Sequence, residues 1–126
     1  MSWTVTYVSE FASWLRRQSD AFREDLMAYV IALEDQGPQL GRPHCDRVEG
    51  SRFANMKELR VQHRGDPYRI LFAFDQHRQA VLLLGGNKRG DDRWYVRMIP
   101  IADARFQAWQ AQFHRSDRKR RGRRGR

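Results

Sequence analysis

The stretch that decides the fold is MKELRVQHRGDPYRILFAFDQHRQAVLLLGGNK, residues 56–88. It holds three short runs, at about 55–62, 68–75 and 79–86, that are rich in β-branched, aromatic and leucine residues, which favours strands. Residues 64–67, Arg-Gly-Asp-Pro, are a turn signal between the first two runs. Because the connections are short, the stretch predicts three antiparallel strands joined by hairpins.

The segment before this stretch predicts one strand and two helices. Residues 3–8 are rich in aromatic and β-branched side chains and are typical of an opening strand. Apolar residues at helical spacing within 11–15 predict a short helix. Ser19 or Asp20 can cap a second helix, which we expect to end at Gly37 because glycine tolerates a left-handed turn.

The remaining segments predict a long loop and a final helix. Residues 38–53 contain glycine and proline without periodicity and are interpreted as a loop. Asp91 or Asp92 can cap the final helix, which Pro100 must kink or split. The fold class is therefore α+β, with a four-stranded, mainly antiparallel sheet and the order β-α-α-β-β-β-α. The helical hairpin is expected to cover one face and leave part of the other open.

Length and cysteine content suit one intracellular domain. The 126 residues are expected to form a single domain over 1–114, followed by a disordered basic tail over 115–126 that has no apolar side chain. Cys45 is the sole cysteine, which favours a reducing compartment. The sequence shows no signal peptide and no apolar run of about 18 residues, so we expect a cytoplasmic protein without a membrane partner.

The positive charge is concentrated in two segments. The chain carries a net charge of +9, of which the predicted tail supplies +7 and residues 42–97 supply +5, whereas residues 1–41 are acidic. The charge of the central segment coincides with the predicted sheet. A basic sheet favours a polyanionic partner such as RNA.

Cations on the predicted strands are candidates for phosphate binding and charge stabilisation. Arg60 and Arg69 lie opposite the larger apolar residues of neighbouring strands, so a hairpin could place them side by side on the open face. Lys88 and Arg89 leave the next strand in a glycine-rich loop. Lys57 lies on the same face of its strand as the apolar residues, because residues two apart share a face. It would therefore have to act from the strand edge. Each cation could equally be a solvated surface residue.

Tyr95 and His63 are candidates for base stacking or proton transfer. Tyr95 follows Trp94 at the start of the final helix, and its hydroxyl makes it the better site candidate of the two, although both could simply pack on the sheet. His63 lies at a strand end near the predicted groove. The four histidines are widely spaced and lack partners at ligand spacing, so no metal or other cofactor is expected.

Several motifs together resemble a known family. The runs are Met56 to Val61, Pro67 to Asp75, Leu82 to Lys88, Gly90 to Tyr95 and Ile99 to Asp103. They resemble the phage-derived, HigB-like branch of the RelE/ParE toxin superfamily, and the likeness covers roughly residues 3–113. It implies a toxin encoded beside a HigA-like helix-turn-helix antitoxin. It also implies metal-independent, ribosome-dependent cleavage of messenger RNA.

The resemblance also implies roles for particular residues. The strand arginine of the family falls on Arg69, and the cations of the preceding strand fall on Lys57 and Arg60. The cation after the last strand falls on Lys88, and the aromatic residue near the final helix falls on Tyr95. A tight histidine set beside Tyr95, as some HigB toxins have, is missing, so the general base stays open.

Two other functions remain open at this stage. A ParE-like toxin that poisons DNA gyrase would share the fold without cleaving RNA. A non-catalytic RNA-binding module would retain RNA without producing new 5′ ends. Fold alone does not separate these classes, because function depends on the site.

Overall fold

A computed structural model of the chain describes the backbone of residues 2–124 and the side chains of residues 2–113. The elements in chain order are β1 Thr4–Tyr7, α1 Ser9–Arg16, α2 Asp20–Gln36, a 3₁₀ turn Gly37–Gln39, β2 Cys45–Arg47, β3 Met56–His63, β4 Asp66–Phe74, β5 Gln79–Asn87 and α3 Trp94–Arg124. The predicted α+β class and the order of the main elements are confirmed. Ser19 caps α2 as expected, since its side-chain oxygen accepts a hydrogen bond from the backbone N–H of Phe22.

The sheet has five strands in the order β1-β5-β4-β3-β2, whereas the sequence predicts four. The extra strand is β2, which lies within the predicted loop 38–53 and pairs antiparallel with β3. Three residues are too few to show a period-two pattern, so this strand has no sequence signal of its own. The pairing of β1 with β5 is parallel and the remaining pairings are antiparallel, so the sheet is mainly antiparallel, as predicted.

The two faces of the sheet are covered differently. Helices α1 and α2 pack on one face, where Leu59 and Val61 of β3 are fully buried. Helix α3 packs on β4 and β5 on the other face. Arg105 anchors it there by donating a hydrogen bond to the carbonyl oxygen of Leu83 at 2.8 Å. The part of this second face formed by β3 and β2 is left open, in agreement with the predicted open face.

The glycine pair at the end of β5 allows two tryptophans to pack closely on the sheet. A Cβ added to Gly85 would lie 2.5 Å from the ring of Trp14, and one added to Gly86 would lie 2.8 Å from the indole nitrogen of Trp94. Both glycines lie within β5, as the predicted strand over about 79–86 implies. Because they have no side chain, α1 can approach one face of the strand and α3 the other.

Helix α3 is longer than predicted. It continues through Pro100. Because proline has no backbone N–H, the carbonyl oxygen of Val96, four residues earlier, loses its helical donor. Val96 is exposed, so water can bind this carbonyl oxygen instead. The helix as described extends to Arg124 and so overlaps the segment 115–126 that the sequence predicts to be disordered; residues 125 and 126 lie outside the described part of the chain. Lysine and arginine are good helix formers, and extending an existing helix costs little compared with nucleating one. Among the described residues, no helix is long and apolar enough to cross a bilayer.

Candidate active site

The open part of the sheet holds a cluster of ionised and hydrogen-bonding side chains centred on Glu58. This carboxylate is only 3% exposed. Its Oε1 accepts a hydrogen bond from the hydroxyl of Tyr95 at 2.6 Å, and its Oε2 accepts one from Nε of Arg60 at 3.2 Å. Nε of Arg69 lies 3.6 Å from Oε1. We call Glu58, Arg60, Arg69 and Tyr95 the Glu58 cluster.

The strand register brings the two arginines together. Arg60 and Arg69 are directly paired across β3 and β4, so their side chains share a face. Two positive charges directly opposite each other on neighbouring strands repel. The negative charge of Glu58, which lies close to both arginines, offsets this repulsion. Glu58 is on the same face because it lies two residues from Arg60 on β3.

Helix α3 supplies the fourth member of the cluster. Trp94 is buried at the start of the helix and packs against Gly86. This contact fixes the first turn of α3 over the sheet and directs Tyr95 toward Glu58. Lys88 adjoins the cluster, since its Nζ lies 5.7 Å from the centre of the Tyr95 ring.

Two members of the cluster have unusual environments: the hydroxyl of Tyr95 is held in its protonated form, and Nε of Arg69 has no hydrogen-bond acceptor within residues 2–113. Burial and the hydrogen bond to Glu58 raise the pKa of Tyr95 to about 12. Nε of Arg69 is the only buried side-chain nitrogen or oxygen without a hydrogen-bond partner among the described residues. Such a donor is rare in folded proteins, and here it lies 3.6 Å from the Glu58 carboxylate.

The cluster opens into a cavity of about 340 Å³. Its lining consists of Arg47, Val48, Glu49, Glu58, Arg60 and Tyr95. Asp46 lies just beyond it, where Nη2 of Arg60 reaches its carboxylate at 3.2 Å. Hydrogen bonds from the Arg47 backbone and from Arg42, together with the nearby Arg60, hold the pKa of Asp46 below its usual range. Two carboxylates, the guanidinium groups of Arg47 and Arg60 and the phenol of Tyr95 therefore converge on one open space, which Arg69 adjoins through Glu58.

The structure brings some of the predicted site residues together and places others apart. Arg60, Arg69 and Tyr95 are brought together, and Lys88 is their neighbour. Arg89 lies apart, where its Nη1 forms an ion pair with Asp66 at 2.6 Å.

Two predicted catalytic residues lie on the opposite face of the sheet, which is a correction. Nζ of Lys57 donates to the carbonyl oxygen of Pro38 at 3.3 Å. Nδ1 of His63 lies 2.6 Å from a carboxylate oxygen of Asp25 on α2. The reason is strand alternation, because residues 57 and 63 have the parity of the buried apolar side chains and not that of Glu58.

Glu58 is not among the site residues that the sequence predicts. The available signal is that Glu58 lies two residues from Arg60 and therefore on the same face of the strand. A carboxylate beside an arginine is common on exposed strands, so this signal alone does not indicate burial. Among residues 2–113, no three His, Cys, Asp or Glu side chains converge as metal ligands.

The fold is similar to that of two solved structures of RelE proteins. A mutant of Escherichia coli toxin RelE in the free state aligns with a TM-score of 0.54 and 12% identity, over 75% of this chain and 92% of that chain. The archaeal RelE–RelB complex from Pyrococcus horikoshii aligns with a TM-score of 0.53 and 18% identity, over 72% of this chain and 99% of that chain. At these identities the likeness establishes the fold.

The family follows from the sequence comparisons. The chain belongs to the family described as phage derived protein Gp49-like (DUF891), whose model matches residues 13–107. It is 54% identical over 99 residues to a Mycobacterium tuberculosis protein named "Putative toxin HigB3", which covers 75% of this chain and 85% of that protein. It is 43% identical over 125 residues to HigB2 of the same organism, named in the same way, and covers 98% of this chain but only 62% of that protein. The resemblance to HigB-like members of the RelE superfamily is thus confirmed.

Proposed function

We propose that this protein is the toxin of a type II toxin–antitoxin system and cleaves translated messenger RNA on the ribosome without a metal ion. The observation that carries the proposal is that the Glu58 carboxylate, the Arg60 guanidinium group and the Tyr95 hydroxyl line one open cavity, with Arg69 beside Glu58. The HigB names of the relatives and the RelE-like fold support the toxin class.

The cluster contains the groups that RNA cleavage by internal transfer requires. The 2′-oxygen attacks the adjacent phosphorus while the Glu58 carboxylate takes its proton as general base. The bond from phosphorus to the 5′-oxygen breaks, and that oxygen takes up a proton from water. The products are a 2′,3′-cyclic phosphate and a 5′-hydroxyl end.

The arginines stabilise the charge that develops during this reaction. Arg69 is held by the carbonyl oxygen of Tyr68 and by the Glu58 carboxylate, and Arg60 is held between Glu58 and Asp46, so both guanidinium groups are fixed before the substrate arrives. Fixed donors aimed at the oxygens of the phosphorane need no reorganisation in the transition state. Tyr95 holds the Glu58 carboxylate in place through its hydroxyl, which stays protonated at neutral pH because its pKa is about 12.

The proposed partners are the ribosome with its messenger RNA and a HigA-like helix-turn-helix antitoxin. A ribosome can supply orientation by holding the 2′-oxygen in line with the leaving 5′-oxygen, and such orientation lowers the barrier substantially. An antitoxin partner is supported by the toxin names of the relatives and by the RelE–RelB complex among the similar structures. These partners place the proposed action in the cytoplasm.

The experiment that tests the proposal is a map of messenger RNA 5′ ends after the chain is induced alone in bacteria. We expect new ends inside translated codons, and we expect them to vanish when translation is blocked. Arg69→Ala should remove the ends while the domain still folds. Arg17→Ala is the matched control, because it removes the same charge from the exposed end of α1 on the opposite face.

The same map, together with an assay of RNA retention by the purified protein, separates the other two functions. Growth arrest without new 5′ ends would contradict cleavage and indicate a target such as DNA gyrase. Retention of RNA by the purified protein without new ends would indicate a non-catalytic RNA-binding module. Full toxicity of Arg69→Ala would contradict the role of the Glu58 cluster.

A further inference from the structure

A second cavity adjoins the one at the Glu58 cluster and extends over β2 at the edge of the sheet. Its volume is about 700 Å³, within the range of about 300–1,000 Å³ that is typical of sites for small ligands. Arg47, Val48, Glu49 and Arg60 line both cavities. The two spaces therefore share a rim, and we call the larger one the β2 groove.

The outer wall of the β2 groove is fixed in place. This wall is the loop 48–54, and the carboxylate of Asp103 on α3, which is 3% exposed, binds it. Asp103 accepts hydrogen bonds from the hydroxyl of Ser51 at 2.5 Å and from the backbone N–H of Arg52 at 2.9 Å. The Ser51 oxygen in turn accepts from the N–H of Phe53 at 3.0 Å. A wall with this many bonds is preorganised for a ligand.

Two charged side chains at the shared rim have no ion-pair partner among the residues whose side chains the structure describes. Arg42, Asp46 and Arg60 are already paired with one another in a row. Arg47 and Glu49, by contrast, form no ion pair within residues 2–113, and both side chains are exposed. The two side chains suit the two ends of a nucleotide. The cation can bind the phosphate, which is an anion, and the carboxylate can accept a hydrogen bond from a donor on the base.

We propose that the β2 groove binds the nucleotide next to the scissile bond, with Arg47 on its phosphate and Glu49 accepting a hydrogen bond from the exocyclic amine of its base. This inference rests on the proposed RNA cleavage. A carboxylate accepts from the N4 amine of cytosine but repels the O4 carbonyl oxygen that uracil has at the same place. Glu49 is thus a specificity-determining residue that favours cytosine over uracil at this position.

The test uses ribosomes programmed with messages that differ in a single base, C or U, on either side of the mapped cut. The purified wild-type protein should cut the C message about tenfold faster than the U message at one of the two positions. Glu49→Gln should bring that ratio close to one, because the amide can donate to O4 of uracil as well as accept from cytosine. Glu24→Gln is the matched control, since Glu24 is exposed on α2 on the other face of the sheet.

Each outcome is decisive for the inference. A ratio that falls toward one in Glu49→Gln and persists in Glu24→Gln supports it. Equal cutting of C and U messages by the wild type, or an unchanged ratio in Glu49→Gln, overturns it. An equal loss of cutting on both messages in Glu49→Gln also overturns it, because Glu49 would then contribute to the cleavage rate and not to the discrimination between cytosine and uracil. No cutting of any message by the wild type would instead refute the proposed function itself.

Discussion

Replacing Tyr95 by phenylalanine removes one hydroxyl and keeps the ring. In the wild type this hydroxyl donates to a Glu58 carboxylate that is 3% exposed, at a distance of 2.6 Å. A hydrogen bond to a charged group contributes about 1.5–3 kcal/mol. We therefore expect Tyr95→Phe to lower the free energy of unfolding by about that amount while the domain still folds. If the hydroxyl also holds Glu58 in its reactive position, the cleavage rate should fall by about 10- to 150-fold.

The pH dependence of stability distinguishes this hydroxyl from a general packing effect. Folding raises the pKa of Tyr95 from an ordinary value of 10 to about 12, so the folded protein favours the neutral phenol. The contribution is therefore complete below pH 10 and is lost as the pH rises through about 12. The stability difference between wild type and Tyr95→Phe should be constant from pH 7 to 9 and should shrink above pH 10.

The assay is urea unfolding followed by circular dichroism over this pH range, with a single-turnover cleavage rate at pH 7. Tyr7→Phe is the matched control, because Tyr7 is 56% exposed and loses the same hydroxyl on β1. It should change neither stability nor rate. A stability difference for Tyr95→Phe that stays constant to pH 12, or a cleavage rate equal to that of the wild type, would refute the reasoning.

Three further predictions concern other parts of the chain. Asp103→Ala leaves the Ser51 hydroxyl and the Arg52 N–H without their acceptor and should lower the free energy of unfolding by about 2–5 kcal/mol; an unchanged urea midpoint would contradict this. The thiol of Cys45 is 1% exposed and burial raises its pKa to about 11, so it should resist alkylation at pH 8 in the native protein and react after unfolding in urea. Equal rates in both states would show that the thiol is accessible. Deletion of residues 115–126 should leave toxicity intact in growth curves, because the Glu58 cluster lies wholly outside them; loss of killing would show that the basic segment is required.

The hairpin of β3 and β4 illustrates what the sequence could predict. Alternation alone placed Arg60 and Arg69 on one face, and the observed register pairs them directly. The same rule indicated that Lys57 was poorly placed, although the family resemblance included it. Local periodicity was therefore a better guide to position than resemblance was.

The features that the sequence could not predict depend on contacts between distant segments. The strand β2 forms only because Cys45 and its neighbours can pair with β3. Glu58 is buried because Tyr95, 37 positions later in the chain, lies over it. His63 was expected near the groove, but its position depends on α2, which carries Asp25. No local pattern encodes such long-range pairings.

The most direct test of the central claim compares purified wild type with Glu58→Gln on ribosomes programmed with a single message, with a chelator present. The substitution keeps the shape of the side chain and removes its ability to take a proton. General base catalysis contributes a factor of about 10²–10⁴, so the cleavage rate should fall at least about a hundredfold while the protein still binds the ribosome. The wild type should yield a 5′-hydroxyl end and a 2′,3′-cyclic phosphate. Cutting by Glu58→Gln at the wild-type rate, or no cutting by the wild type, would contradict the account.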